Sequence, residues 1–273
     1  MTRRRFIKLS FAIGGGTVIA GIGYSALEAC WIQISNEVIR VPRLPSAFSN
    51  LRIAFLVDIH HGPFTSLAYV NSVVTLANNL NPDLILLGGD YVHRDRHYIA
   101  PCFQALRKLN APLGVYGVLG NHDHWESAPE TRKAMQDSEI VELTNEGIWL
   151  SQKGQRLRLA GVGDLWEDTQ DLTKALGDTH SSETSILLSH NPDYVETITD
   201  SRVGLVLSGH THSGQVIFPL IGAPIVPSRF GQKYLRGLVK TPYTQVFVSR
   251  GLGTITPPLR FCCRPEINII TLI

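Results

Sequence analysis

Residues 51–90 read LRIAFLVDIHHGPFTSLAYVNSVVTLANNLNPDLILLGGD. The run LRIAFLVD is apolar almost throughout and ends on Asp58, which reads as a short buried strand. Leu67, Val70, Val73, Val74, Ala77 and Leu80 then recur at helical spacing, which predicts an amphipathic helix over 66–80. DLILLGGD follows as a second buried strand and ends in Gly-Gly-Asp. Strand, helix and strand in that order make a βαβ unit.

Working outward, a helix is expected at about 100–110, and LGVYGVLGNHDHW (113–125) reads as a third strand running into a polar turn. A helix near 128–138 follows. Shorter alternating segments at 147–151, 156–162, 184–189, 203–207, 214–218, 244–248 and 266–272 predict a second group of strands. Early βαβ units followed by strand-rich sequence point to an α/β sandwich and not to an all-parallel sheet. Upstream, the Pro-bounded VPRLPSAFSN (41–50) reads as linker, so residues 30–49 are assigned to a linker and 50–273 to one folded domain. The chain carries no repeat, no heptad and neither the phosphate-loop nor the G-x-S-x-G pattern, which removes P-loop and nucleophile-elbow chemistry from consideration.

The first 29 residues differ in character. TRRRFIKLSFAIGGGTVIAGIGYSALEAC (2–30) opens basic and then runs from Leu9 to Leu27 without a formal charge. At about 1.5 Å per residue, such a run can cross a hydrocarbon core of ~30 Å. Thr2-Arg3-Arg4-Arg5-Phe6-Ile7-Lys8 resembles a twin-arginine export signal, with Ile7 standing for leucine; a plain anchor with its basic flank in the cytoplasm is the alternative. Both place the remaining chain across the membrane, in the periplasm or at the inner membrane. Leu27-Glu28-Ala29 lacks the small residue wanted three places before a cut, which favours retention as an anchor. Setting residues 1–29 aside removes four of the 25 basic and one of the 23 acidic residues, leaving 21 against 22. With no basic field on the folded part, nucleic acid is not expected as a partner. Cys30, Cys102, Cys262 and Cys263 lack metal-type spacing and are expected as buried, inert thiols.

Polar residues recur where apolar strands end. FLVDIH offers Asp58 and His60, LLGGD offers Asp90, and VLGNHD offers Asn121, His122 and Asp123. ILLSHNPD offers His190, and LVLSGHTH (205–212) offers His210 and His212. Singly, each is more often a turn residue, a helix cap or a hydrogen-bonded histidine. Together they predict one convergent cluster, because ligands of open α/β sheets bind beyond the carboxyl ends of the strands. Carboxylate, amide oxygen and imidazole without thiolate suit Mn, Zn, Fe or Ni, with Mn favoured. A carboxylate such as Asp90 has two usable oxygens and can bridge two ions about 3.5–4 Å apart.

The series Asp58-x-His60, Gly89-Asp90, Gly120-Asn121-His122-Asp123, His190 and Gly209-His210-Thr211-His212 resembles the calcineurin-like metallophosphoesterases. GVGDLW (161–166) and the ending VSRGLGTITPPLRFCCRPEINIITLI resemble its membrane-associated bacterial branch, which includes enzymes similar to twin-arginine-exported phosphodiesterases and UDP-diacylglucosamine hydrolases. The resemblance implies a sandwich of two mixed sheets flanked by helices, in α/β/β/α order. It implies that Asp58, His60 and His212 hold one divalent ion, that Asn121, His190 and His210 hold a second, and that Asp90 bridges them. A hydroxide shared by the ions would attack phosphorus. His122 would protonate the leaving oxygen, with Asp123 orienting it.

The activity implied is phosphodiester hydrolysis. A pyrophosphatase acting on a nucleotide-linked lipid such as UDP-diacylglucosamine is the alternative, and a non-catalytic binding protein on the same fold is the alternative of another class. His61, His93, His97, His124 and His180 are expected to be structural or solvated, with His61 and His124 near enough in sequence to meet substrate. Tyr91 and Arg94 read either as phosphate-binding or as solvated loop residues. Ser213 stands where that branch usually has glycine, beside His212 and the entrance. Residues 217–239 are apolar, rich in Pro and Gly, and carry Arg229, Lys233 and Arg236. They read either as a receiver for an acylated anionic substrate or as an irregular segment packed on the core.

Overall fold

Strands that are apolar on both faces need cover on both sides, and the computed structural model, which describes residues 2–5 and 20–273, supplies it with two stacked sheets between helices. The first sheet contains β1 (Gln33–Ile39), β12 (Glu266–Leu272), β2 (Arg52–Leu56), β3 (Leu84–Leu87), β4 (Val115–Gly117) and β5 (Val141–Glu142), in that spatial order. The second runs β10 (Gly237–Lys240), β11 (Gln245–Val248), β9 (Val203–Ser208), β8 (Ser185–Leu188), β7 (Gln155–Gly161) and β6 (Glu146–Gln152). Both sheets are mixed. β12 is antiparallel to β2, while β2, β3, β4 and β5 pair in parallel. In the second, β7, β8, β9 and β11 pair in parallel between antiparallel edges.

Alternation along each strand sorts the layers. Ile53, Phe55, Leu84 and Leu86 from the first sheet meet Leu157, Leu159, Ile186, Leu188, Leu205 and Leu207 from the second. The alternate residues Ala54, Leu56, Ile85 and Leu87 pack on α1 (Leu67–Asn79), α2 (Ile99–Leu106) and α3 (Asn121–Asp137) through Val70, Val73, Phe103 and Met135. Leu187 and Val206 face the opposite way, toward α4 (Leu172–Leu176) and the turn bearing Tyr194 and Val195. The α/β/β/α sandwich expected from the sequence is the fold observed.

Three expectations change. Residues 33–39, assigned to the linker, form β1 and pair in parallel with β12 along their whole length, and Phe48 is fully buried. The folded unit therefore begins before Gln33 and not at 50. Residues 214–218 form no strand. Ser213, Gly214 and Gln215 all have positive φ, so the chain coils and makes only isolated bridges from Val216 and Phe218. The polar turn expected after β4 is instead the first turns of α3, which resumes after an extended break at Ser127 (φ 178°) and runs on to Asp137. Residues 20–28 are helical, and Glu28 is buried. Residues 6–8 of the twin-arginine motif and 9–19 of the uncharged run lie outside the described residues. Among the described residues, no helix is long and apolar enough to cross a membrane.

Candidate metal centre

The parallel strands β2, β3, β4, β8 and β9 bring their carboxyl ends together. Asp58 and His60 follow β2, and Asp90 follows β3. Asn121 and His122 open α3 directly after β4, His190 follows β8, and His210 and His212 follow β9. Asp58, His60, Asp90, His210 and His212 all adopt positive φ, between 48° and 67°. Left-handed backbone at non-glycine residues costs about 1–3 kcal/mol each and persists only where neighbours hold it. Here the two strand extensions stay bonded: Asp58 N–H donates to Gly89 C=O at 3.0 Å and His60 N–H to Asp90 C=O at 3.0 Å.

Two groups of side chains result, Asp58–His60–His212 and Asp90–His190–His210, each with ligand-type atoms within 4.8 Å of one another and all buried. Within the first, the Nε2 atoms of His60 and His212 face each other at 2.9 Å. Within the second, His190 Nε2 stands 3.2 Å from Asp90 Oδ2 and 3.3 Å from His210 Nδ1. The groups meet at Asp90, whose Oδ2 is also 3.5 Å from His60 Nε2. Ligands bound at about 2.0–2.2 Å around one ion stand roughly 3 Å apart, the spacing seen here. His190 Nδ1 lies 2.8 Å from Gly88 C=O, the outward hydrogen bond that fixes a ligating imidazole. Asn121 Oδ1 is buried without a hydrogen-bond partner, as are His60 Nδ1 and His210 Nε2. An orphaned buried amide oxygen beside this cluster is what a cation site requires.

Electrostatics agree. Burial pushes Asp58 up to about 7, with the charge of Asp90 adding to it and His190 opposing. His190 rises to about 10: burial works against its charge, but Asp90 and then Asp58 and Asp164 outweigh it. His210 falls to about 3, through burial and then the charge of His190. Asp90 is instead held well below the usual carboxylate range: burial works against its charge, but His190 and then His122 outweigh it, so the shortfall of positive charge falls on Asp58, where a divalent cation would make it good. The donor set present fits such ions.

A cleft of about 300 Å³ opens beside the cluster, lined by Asp90, Asn121, His122, His210, Trp125 and Trp166 among others. His122 lines it, with its backbone N–H donating to Asp90 Oδ1 at 2.8 Å. The expected pairing of Asp123 with His122 is not what the structure holds. Asp123 is fully buried, and its carboxylate accepts the backbone N–H groups of Asp90, Tyr91 and Gly120 at 2.8, 2.9 and 2.9 Å. His122 Nδ1 instead faces His93 Nδ1 at 3.1 Å, and His60, His93 and His122 form a third close group.

His93 therefore belongs at the site, against the expectation. So do Trp166, whose ring meets His210 at 4.3 Å, and Asp164, which accepts the N–H of Trp166 at 2.9 Å. The signal for both was the polar end of β7, in GVGDLW, the same rule that found the other strands. Arg260, fully buried, reaches His212 Nδ1 at 3.4 Å and the Gly253 carbonyl at 2.7 Å.

Other assignments resolve plainly. His61 Nδ1 bonds the Thr65 carbonyl, and the Tyr91 hydroxyl donates to Val118 C=O, so both are structural. Arg94 donates to Thr256 on the rim of the cleft. Ser213 turns its hydroxyl to Leu235 C=O at 2.9 Å and does not line the cleft. Cys102 and Cys263 are buried, whereas Cys30 and Cys262 are exposed, contrary to expectation, because they flank the docked helical segment and not a core strand.

The model of the calcineurin-like phosphoesterases matches residues 51–214, the stretch that contains both groups. The chain belongs to that family. It is a metal-dependent phosphoester hydrolase. It is 34% identical to an uncharacterized metallophosphoesterase, YkuE, of Bacillus subtilis over 100% of this chain and 98% of that one. It is 29% identical to phosphodiesterase YaeI of Escherichia coli over the full length of both. An archaeal phosphodiesterase of solved structure, 15% identical, aligns over 76% of this chain and 88% of its own with a TM-score of 0.42.

Proposed function

We propose that the chain is a phosphodiesterase with two divalent ions, manganese first among those its oxygen and imidazole donors suit. Asp58, His60 and His212 hold one ion, Asn121, His190 and His210 the other, and Asp90 belongs to both. The single observation that carries this is Asp90 Oδ2, which lies 3.5 Å from His60 Nε2 and 3.2 Å from His190 Nε2 and so faces both groups at once. Bound there, the ions would lower the pKa of water and neutralise charge on the phosphate oxygens.

The chain supplies the rest. His122, on the cleft wall, hands a proton to the leaving oxygen. Asp123 holds the turn after β3 against the start of α3, which keeps Asp90 and Asn121 at a fixed separation. Diester over monoester follows the name of the Escherichia coli relative. Export by the twin-arginine route and retention at the inner membrane, facing the periplasm, complete the reading and rest on the sequence of residues 2–27.

The test is turnover of bis(p-nitrophenyl) phosphate by protein stripped with a chelator and reloaded with Mn²⁺. Activity is expected to vanish on stripping and return on reloading. Asp90→Asn and His190→Ala are each expected to lower it by at least about 10²-fold, the scale of losing a preorganised electrostatic group. Full activity in both variants sinks the assignment.

One observation favours a second substrate, a nucleotide-linked lipid cleaved at its pyrophosphate. Trp125 and Trp166 stand exposed on the walls of the cleft, where a base can stack. Faster turnover of UDP-diacylglucosamine than of the plain diester would select it.

A further inference from the structure

Two segments distant in sequence present large apolar side chains to the outside. The first is the helical segment 20–28 and its exit, with Ile22, Tyr24, Leu27 and Trp31 exposed. The second follows the His212 turn, with Phe218, Leu220, Ile221 and Ile225 exposed, the last two by 71% and 78%. Within residues 217–239, the tip at 218–225 therefore stands clear of the core, whereas Tyr234 is buried in it and residues 237–239 belong to β10.

Phe261 joins the two. The Tyr24 ring meets it edge-on at 6.1 Å, and the Phe218 ring lies 6.1 Å from it. Arg260 N–H donates to Ser25 C=O at 3.1 Å, and Ile217 N–H donates to Phe261 C=O at 2.8 Å. The segments thus flank one stretch of backbone and form a continuous apolar face.

The tip of the second segment is held and not loose. Phe218 and Gly222 exchange backbone hydrogen bonds of 2.9 Å, and the Gln232 side chain accepts the Ala223 N–H at 3.2 Å. Leu220, between them, has φ 70° and is completely exposed. A leucine fixed in left-handed backbone at the summit of an apolar turn has no stabilising role in water, and exposed apolar patches of this kind mark interaction surfaces.

The occupant follows from the chain itself. The uncharged run from Leu9 to Leu27 is long enough to enter hydrocarbon, and its last residues are the helical segment that bears Ile22 and Leu27. Residue 20, where the described helix begins, directly follows the rest of that run in sequence. Arg229 and Arg236 are exposed along the second segment, and the Arg264 guanidinium sits 4.0 Å over the Trp31 ring. Arginine with tryptophan at the edge of an apolar patch is the composition of a headgroup layer.

We propose that this face docks on a lipid bilayer, with Leu220, Ile221 and Ile225 entering the leaflet beside the N-terminal run. Pro227, on the same segment, lines the metal cleft, so docking opens that cleft at the level of the headgroups. The docking is independent of catalysis; the consequence, a lipid-borne phosphate ester as substrate class, rests on the function proposed above.

The full chain is reconstituted in vesicles of phosphatidylcholine and phosphatidylglycerol. Cys30→Ser and Cys262→Ser remove the exposed thiols, and an environment-sensitive fluorophore is attached at Leu220→Cys. Lys153→Cys serves as control, in the turn that precedes β7 and so at the end of the second sheet opposite the cleft. The label at 220 is expected to emit to the blue and to be quenched several-fold more by doxyl-labelled lipid than the label at 153. Iodide quenching that is equal at both positions, with no doxyl quenching, overturns the proposal. So does a blue-shifted label protected from iodide but untouched by doxyl lipid, because a second copy or another protein then covers the face. Diester turnover by the same protein keeps the readings apart: docking without turnover refutes the catalytic assignment alone, and turnover without docking refutes this one.

Discussion

Asp123 and His122 are neighbours in sequence with opposite duties. The buried carboxylate of Asp123 takes three backbone N–H groups, two of them from Asp90 and Tyr91 on another strand end. Burial, reinforced by Asp90, pushes it up to about 8 even so. Truncation to alanine strands three buried donors at about 1–3 kcal/mol each, partly relieved by relaxation. Asp123→Ala is therefore expected to lose roughly 3 kcal/mol or more in urea unfolding. His122→Asn is expected to keep the urea midpoint while turnover falls about 10²–10⁴-fold. A stable, inactive Asp123→Ala would restore Asp123 as the catalytic partner of His122. The seven metal-binding candidates were legible in sequence because each ends an apolar strand or opens the helix just beyond one. The duty of Asp123 was not, since two of its three donors lie 32 and 33 residues upstream and all three belong to the backbone, which no side-chain pattern advertises.

α3 reaches the cluster only because Gly120 precedes it. A Cβ there would lie 2.3 Å from Asp90 Oδ1 and 2.7 Å from His190 Cε1, closer than atoms can stand. Gly120→Ala must push α3, and with it Asn121 and His122, away from the strand ends. Displacement of a reacting group by about 1 Å can cost about 10²-fold in rate, so a loss of that order is expected with the circular dichroism spectrum unchanged. Unimpaired turnover would mean that α3 does not position the site. The helices α1 and α2 and the central strands were readable from periodicity because burial on one or both faces imposes it. β1 escaped because its residues alternate exposed and half-buried at a sheet edge, behind prolines, and its partner β12 is the most distant strand in sequence. Residues 214–218 misled in the other direction, since apolar Val216, Ile217 and Phe218 imitate a strand while positive φ at 213–215 prevents one.

Across the whole molecule, the beginning of the described chain is tied to its end. The Glu28 carboxylate is buried and accepts the N–H groups of Cys262 and Cys263 at 3.1 and 2.6 Å. Arg260, two residues before, carries the connection to His212 and the carbonyls of Arg250, Gly251 and Gly253. The helical segment 20–28 is thus part of the folded unit and braces the loop behind His212, one of the candidate metal ligands. Nothing local in LEAC signals this, because the bond spans 234 residues. Glu28→Ala leaves two backbone donors without their acceptor, which costs about 2 kcal/mol where one of them stays buried. For a chain of this size that corresponds to a fall in Tm of roughly 4–8 °C by calorimetry. Leu27→Ala, one residue earlier and largely exposed, is expected to leave Tm unchanged in detergent. Hydrogen exchange localises the effect: Glu28→Ala should speed exchange at 259–264 before the central strands respond. Equal Tm values for the two variants, with 259–264 still protected, would show that the segment merely lies against the domain and that His212 is held from within it.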